Sequence, residues 1–172
     1  ISLGRSPYKN FWDFDLNEDD LKIIDEAIQI MDLNELKNKF INELSGGQSQ
    51  RAFLAMTIAQ NTNILLLDEP TTFLDINYQI KFLESLKNLI EIKKLSIITV
   101  LHDINLAARF CDRIAILKEG KLIDINIPEK VLNKENFKRG FEIDSYIIDT
   151  PVGIQIFPAV SYTHLRAHET ID

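Results

Sequence analysis

A short apolar run, Ile64 to Leu67, is followed at once by Asp68-Glu69-Pro70. A strand without a polar face is typical of a parallel sheet that is covered on both sides. Pro70 lacks a backbone N–H and therefore stops the strand. The sequence predicts a buried parallel strand in an α/β fold, with two carboxylates at its carboxyl end, where open α/β sheets place their ligands.

A second run of this kind, Ser96 to Leu101, is uncharged and rich in β-branched residues. Between the two runs, Asp75 can cap a long helix. The inner face of that helix is expected to carry Ile76, Ile80, Leu83 and Leu86. Strand, helix and strand in this order predict a right-handed parallel crossover. His102, which follows the second strand, should then lie on the same rim as Asp68 and Glu69.

A helix start is predicted in the stretch Leu44–Arg51, which has the sequence LSGGQSQR. Ser45, with Gln48 three residues later, forms a capping-box pattern. Gly46 and Gly47 leave the backbone N–H groups of the first turn uncovered, and such a helix start can bind an anion. Together with the acidic pair it suggests Mg²⁺ and phosphate, since Mg²⁺ takes carboxylate and phosphate oxygens together.

Two helical segments are expected before this stretch. Asn17 can cap the first, with Asp20 three residues later. Its apolar face steps through Leu21, Ile24, Ile28 and Met31. A second, shorter segment is expected through Leu33, Leu36 and Phe40. With the helix that follows Ser45 they predict a helical subdomain whose apolar stripe is core.

Beyond His102 the pattern predicts short elements. These are a helix over Ile104–Cys111, strands over Arg113–Leu117 and Lys121–Ile125 around a Glu119-Gly120 turn, a helix opened by Pro128, and strands over Ile143–Ile148 and Ile154–Phe157. Cys111 is interpreted as a small buried hydrophobe. As the single cysteine, it also excludes a disulfide within the chain.

The charge and the apolar runs of the sequence limit the kinds of partner that this chain is expected to have. With 19 basic and 26 acidic residues the net charge is −7 over 172 residues, so a nucleic-acid interface is not expected. No apolar run approaches the roughly 20 residues that a membrane span needs.

Four motifs together resemble the ATP-binding subunits of ABC transporters. Leu44–Gln48 resembles the LSGGQ signature, and Ile64–Glu69 resembles the Walker B strand with its glutamate. Phe73-Leu74-Asp75 resembles the D-loop, and Val100–Asp103 resembles the switch-histidine segment. The resemblance covers roughly Ser2 to Pro158. It implies a partial P-loop NTPase (RecA-like) parallel sheet with an ABC helical subdomain.

The domain boundaries expected on this basis are 1–61 for the helical subdomain, 62–140 for part of the RecA-like core and 141–160 for a carboxy-terminal extension. Residues 161–172 resemble translated cloning sequence and are expected to be a non-native tail. A metal site at His164 and His168 is possible in principle, but no third ligand is evident.

The resemblance also implies roles for individual residues. Glu69 would be the general base that polarises the attacking water, Asp68 would support Mg²⁺, and His102 would contact the γ-phosphate of ATP. The signature residues would reach the γ-phosphate bound by the other subunit; they are Ser45, Gly46, Gly47 and Gln48. Asp75 would lie at the dimer interface, although capping alone explains it.

The sequence contains no Gly-x-x-x-x-Gly-Lys-Ser/Thr phosphate loop. The expectation is therefore a fragment that lacks its amino-terminal part and is inactive alone. The alternative is a naturally degenerate protein.

Within the family, three segments resemble importers of ferric siderophores, haem and cobalamin: Leu3–Pro7, Phe73–Ile76 and His102–Arg109. This implies an ATPase on the cytoplasmic face of the cell membrane that couples ATP hydrolysis to uptake of a metal chelate, most simply a ferric siderophore. Its implied partners are a second copy across a nucleotide sandwich, permease subunits and, indirectly, a substrate-binding protein. The alternatives are a non-transport ABC ATPase acting on ribosomes or DNA, and a non-catalytic interaction fragment.

Overall fold

A computed structural model describes residues 1–9, 15–72 and 74–159. The chain divides after His102 into two compact units, Ile1–His102 and Asp103–Asp172. The finer division expected near residues 61 and 140 stays a prediction. The proposed non-native tail, with His164 and His168, lies outside the described residues.

The first unit contains three α-helices and two strands. The helices are α1 (Glu18–Ile30), α2 (Gly46–Ile58) and α3 (Ile76–Lys93), and the strands are β1 (Ile64–Asp68) and β2 (Ser96–Val100). Single 3₁₀ segments occupy Ser2–Tyr8, Asn34–Leu36 and Ile41–Glu43. All three predicted caps are confirmed, at Asn17, Ser45 and Asp75.

The predicted strand–helix–strand unit is confirmed. Strands β1 and β2 pair in parallel, in register from Ile64 opposite Ser96 to Asp68 opposite Val100, with α3 between them in the chain. The expected burial on both faces is found on one only. Leu65 is 2% exposed, whereas Leu66 is 71% and Ile98 is 62% exposed. The described elements of this unit therefore cover the Leu65 face and leave the other face apolar and open.

The helical segment expected through Leu33, Leu36 and Phe40 is replaced by two separate 3₁₀ turns. Leu36 N–H donates to Leu33 O at 2.9 Å and closes the first turn. The carboxylate of Glu43 then accepts the Phe40 N–H at 2.7 Å, which starts a new turn there. Leu33 is buried, whereas Phe40 is exposed.

A buried ionic cluster ties the amino-terminal segment to two helices. Arg5 Nε donates to Asp20 Oδ1 at 2.8 Å, and Arg5 Nη1 donates to Ala59 O at 3.0 Å. Lys9 Nζ contacts the other carboxylate oxygen, Asp20 Oδ2, and Asp20 is only 3% exposed. Gly4 lies beside this cluster, where an added Cβ would come within 2.1 Å of Met56 O. The backbones approach so closely that only glycine fits.

This cluster predicts an acid-sensitive step in unfolding. Hydrogen bonds from Lys9 and then Arg5 lower the pKa of Asp20 to about 2, against about 3.9 in an unfolded chain. The stabilisation is therefore present above pH ~4 and is lost as the pH falls towards 2. We expect Asp20→Asn to lower the melting temperature at pH 7 and to flatten its fall between pH 4 and pH 2.

Asp19→Asn is the matched control, because Asp19 lies next to Asp20 on α1 and is exposed. Thermal unfolding followed by circular dichroism at pH 7, 4, 3 and 2 makes the comparison. Equal pH profiles for the two variants would contradict the assignment.

The second unit contains the predicted elements and one helix that the sequence did not predict, Lys134–Phe141. Its helices are α4 (Ile104–Phe110), α5 (Pro128–Val131) and α6 (Lys134–Phe141), and its strands are β3 (Ile114–Lys118), β4 (Lys121–Asn126), β5 (Ser145–Thr150) and β6 (Gly153–Pro158). Strands β3 and β4 form one antiparallel pair, and β5 and β6 form another. Glu119 and Gly120 have φ of 50° and 73°, which confirms the predicted tight turn.

The core of this unit is formed by residues from its strands and helices: Ile116, Val131, Leu132, Phe137, Ile154 and Ile156. The Asn105 side chain joins α4 to β6, since its amide donates to Ile156 O at 3.1 Å and its oxygen accepts from Ile156 N at 2.8 Å. No helix in the described part of the chain is long and apolar enough to cross a membrane.

Candidate active site

The candidate site lies at the carboxyl end of the parallel strands. Asp68 is the last residue of β1, Glu69 follows it, and His102 comes two residues after the end of β2. His102 Nε2 lies 2.8 Å from Glu69 Oε1. The prediction that these side chains share one rim is confirmed, and the histidine and the glutamate are in direct contact.

Both oxygens of the Glu69 carboxylate have a partner. Oε1 faces His102, and Oε2 accepts the Thr72 hydroxyl at 3.3 Å. The Thr72 N–H also donates to Glu69 O at 3.2 Å. The side chains of His102 and Glu69 are 74% and 41% exposed, so the pair is oriented and still open to solvent.

The backbone at Glu69 is unusual. Its φ is +46°, in the left-handed region that non-glycine residues seldom adopt. Such a conformation costs about 1–2 kcal/mol for an L-residue. It persists where the surroundings over-determine it, and functional sites are a common place for it.

Asp68 could hold Mg²⁺ only together with ligands that the nucleotide and water supply. No group of three or more His, Cys, Asp or Glu side chains able to hold a metal occurs in the described ranges. Mg²⁺ is commonly bound by one or two carboxylates, with waters and substrate phosphates completing its octahedron. The exposed Asp68 carboxylate beside Glu69 therefore fits a magnesium ion that arrives with a nucleotide.

The start of α2 is open, as predicted. Ser45 N–H donates to the Gln48 side-chain oxygen at 3.0 Å, and Gln48 N–H donates to Ser45 Oγ at 3.4 Å. An added Cβ at Gly46 would meet nothing within 4 Å, and at Gly47 it would meet only the Tyr78 ring, from 3.5 Å. The free N–H groups of the first turn are thus accessible to an anion.

The structure brings some predicted site residues together and leaves others apart. No hydrogen bond among the described residues joins the start of α2 to Glu69 or His102. Asp75 Oδ1 accepts the Tyr78 N–H at 3.0 Å and caps α3. Phe73 of the proposed D-loop lies outside the described residues.

Sequence reasoning missed three residues that hold the segment after Glu69. Thr72 bonds the glutamate itself, while the side-chain amides of Gln50 and Gln79 donate to backbone carbonyls of the same segment. Only the three-residue spacing of Glu69 and Thr72 offered a sequence signal, since short polar side chains commonly bond neighbouring groups in turns.

The family model described as "ABC transporter" matches residues 5–72. The chain is 47% identical over 148 residues to the petrobactin import ATP-binding protein FpuC of Bacillus anthracis, covering 85% of this chain and 54% of that protein. It is 38% identical over 152 residues to the ferric enterobactin transport ATP-binding protein FepC of Escherichia coli strain K12, covering 88% and 56%. The chain spans about half the length of the curated relatives it matches.

Solved structures agree on the fold. A putative metal-chelate type ABC transporter in an inward-facing conformation matches with a TM-score of 0.81 at 23% identity, over 92% of this chain and 65% of that one. The ATP-binding cassette MJ0796, dimeric in a post-hydrolysis state with ADP and Pi, matches with a TM-score of 0.55 at 34% identity, over 66% of this chain and 50% of that one. The predicted fold class is confirmed, and the chain belongs to the family of ABC-transporter ATP-binding domains.

Proposed function

We propose that the complete protein hydrolyses ATP as the energy-coupling subunit of a ferric-siderophore importer. The observation that carries the ATPase part is the Glu69–His102 contact of 2.8 Å at the carboxyl end of two parallel strands. Phosphoryl transfer requires mainly positioning and charge stabilisation, and this rim supplies an oriented carboxylate that solvent can reach.

In this proposal Glu69 is the general base. Its carboxylate accepts a proton from the water that attacks the γ-phosphate. His102 and Thr72 hold one oxygen each and so fix the direction in which the carboxylate points. The His102 ring is mostly exposed and remains free to meet the γ-phosphate.

Asp68 is the residue that would hold magnesium. When bound, Mg²⁺ would neutralise the charge that develops on the phosphates. The start of α2 would act on the nucleotide of a second copy, as the resemblance to the family implies. The backbone at Gly46 and Gly47 is open there and could receive a phosphate. The dimeric cassette among the related structures supports an assembly of two copies. Asp75 would lie near the junction between them.

The transport part of the proposal draws its support from relatives. FpuC is named for petrobactin import and FepC for ferric enterobactin transport. A third relative, YusV of Bacillus subtilis, is named for a probable siderophore transport system. A permease in the membrane, a binding protein outside it and a location on the cytoplasmic face follow from that role. The alternative of a ribosome- or DNA-associated ATPase is not favoured, since none of these relatives is named for such a task.

Iron uptake tests the transport part. Disrupting the gene in its host should abolish uptake of ⁵⁵Fe supplied as a siderophore complex, and the wild-type gene should restore it. A Glu69→Gln gene should not restore it, because the permease would lose its energy source. Unchanged uptake of catecholate and hydroxamate complexes by the disrupted strain would contradict a role in siderophore import.

A further inference from the structure

The segment that follows Glu69 is held by side chains from two helices. Gln50, on α2, donates from Nε2 to Pro70 O at 3.1 Å and to Thr72 O at 3.4 Å. Gln79, on α3, donates from Nε2 to Thr71 O at 3.2 Å and to Leu74 O at 3.1 Å. We call residues 69–72, 74 and 75 the base loop, since this segment begins at the proposed base.

The base loop needs such support. It starts at a residue with positive φ, and it ends at Asp75, where α3 begins. Backbone carbonyls that turn away from regular structure need donors when water is excluded. The two glutamine amides provide them.

Gln50 is the support that lies nearest to the chemistry. Its acceptor Thr72 is the residue whose hydroxyl bonds Glu69 Oε2 and whose N–H bonds Glu69 O. A shift of Gln50 would move Thr72, and Thr72 would move the carboxylate. Gln79 instead holds Thr71 and Leu74, neither of which bonds Glu69 in the described part of the chain.

Gln50 also belongs to the helix whose start is the proposed anion site. It lies five residues after the cap Ser45, within the second turn of α2. Its side-chain oxygen is buried without a hydrogen-bond partner, so only the amide donor contributes to these contacts. A helix is stiff over one or two turns. A displacement of the start of α2 would therefore also displace the Gln50 amide.

We propose that Gln50 is a positioning residue that links the start of α2 to the orientation of Glu69 through Thr72. This inference rests on the proposed ATPase function. No hydrogen bond in the described part of the chain joins Gln50 to Glu69 or His102, so Gln50 acts through the base loop. A phosphate seated on the start of α2 would thereby fix the carboxylate that serves the chain's own nucleotide.

Steady-state ATP hydrolysis by the complete protein tests the link. Gln50→Ala should lower kcat about tenfold and leave KM within about twofold, because it removes two hydrogen bonds that orient the base and none that bind the nucleotide. Gln50→Glu, which has the same shape but no donor, should show a similar loss. Gln29→Ala is the matched control, since Gln29 is exposed on α1.

A double-mutant cycle separates positioning from general stability. If Gln50 acts through Thr72, then Gln50→Ala should cost little further activity in a protein that already carries Thr72→Val. Additive losses, accompanied by an equal fall in melting temperature, would overturn the inference, as would an unchanged kcat in both Gln50 variants. An inactive wild-type protein would contradict the proposed function. An active wild-type protein whose Gln50 variants keep the same kcat would contradict only the link, so the two failures are distinguishable.

Discussion

Replacing Glu69 with glutamine in the complete protein is expected to lower kcat for ATP hydrolysis by about 10²–10⁴, the range found on loss of a general base. The change replaces one oxygen by an NH₂ group and keeps the length of the side chain. One acceptor remains for His102 or Thr72, which bond the two carboxylate oxygens. The loop should therefore keep its shape while the base is lost.

Phosphate release under saturating Mg-ATP measures kcat, and binding of a fluorescent ATP analogue measures affinity. Affinity should stay near that of the wild type. Glu91→Gln, at an exposed position on α3, controls for the loss of one negative charge. Hydrolysis by the Glu69→Gln protein at the wild-type rate would show that another group activates the water.

The second large effect is expected at the start of α2. Gly47→Asp puts a negative charge beside the N–H groups that would receive the γ-phosphate, and we expect kcat to fall by about 10²–10³, as when a preorganised donor is lost. The fold should not suffer. An acidic residue in the first turn stabilises a helix by about 0.3–1 kcal/mol, and the new Cβ would stay 3.5 Å or more from the Tyr78 ring.

Gly47→Asn is the matched control, because asparagine has the size of aspartate without its charge. Its kcat should lie between those of the wild type and Gly47→Asp, while the melting temperature of the aspartate variant should be equal to or above that of the asparagine variant. Equal kcat in the two variants would show that steric cover, not charge, governs this site. Wild-type activity in the aspartate variant would remove the start of α2 from the mechanism.

Much of the site could be predicted because its determinants are local. The caps at Asn17, Ser45 and Asp75 follow from polar side chains placed three residues before the N–H groups they bond, and all three are present. The meeting of His102 with Glu69 was predictable for a different reason. Parallel strands end on one edge, so residues that follow two neighbouring strands must be close.

Contacts between distant parts of the chain could not be predicted in this way. The bonds from Gln50 to Pro70 and Thr72 span 20 and 22 residues and depend on how α2 packs. The link between Arg5 and Asp20 spans 15 residues. In each case the residue type permits many partners, and only the tertiary arrangement selects one.

The exposed face of β1 and β2 shows a second limit. An apolar run predicts burial, but it does not say what covers each face. Leu65 is covered within its own unit, whereas Leu66 and Ile98 are left exposed by the described elements of that unit. The apolar pattern predicts the strand correctly but does not identify what packs against each of its two faces.

We propose that Glu69 of one copy acts together with the start of α2 of another. Mixing complete Glu69→Gln and Gly47→Asp proteins tests it directly. A mixed dimer then holds one composite site with both defects and one with neither. Single-turnover hydrolysis of ATP by the mixture should therefore be much faster than by either variant alone. If the mixture stays as slow as its components while mixed dimers form, the base and the helix start do not act across two copies, and the proposed composite site is contradicted.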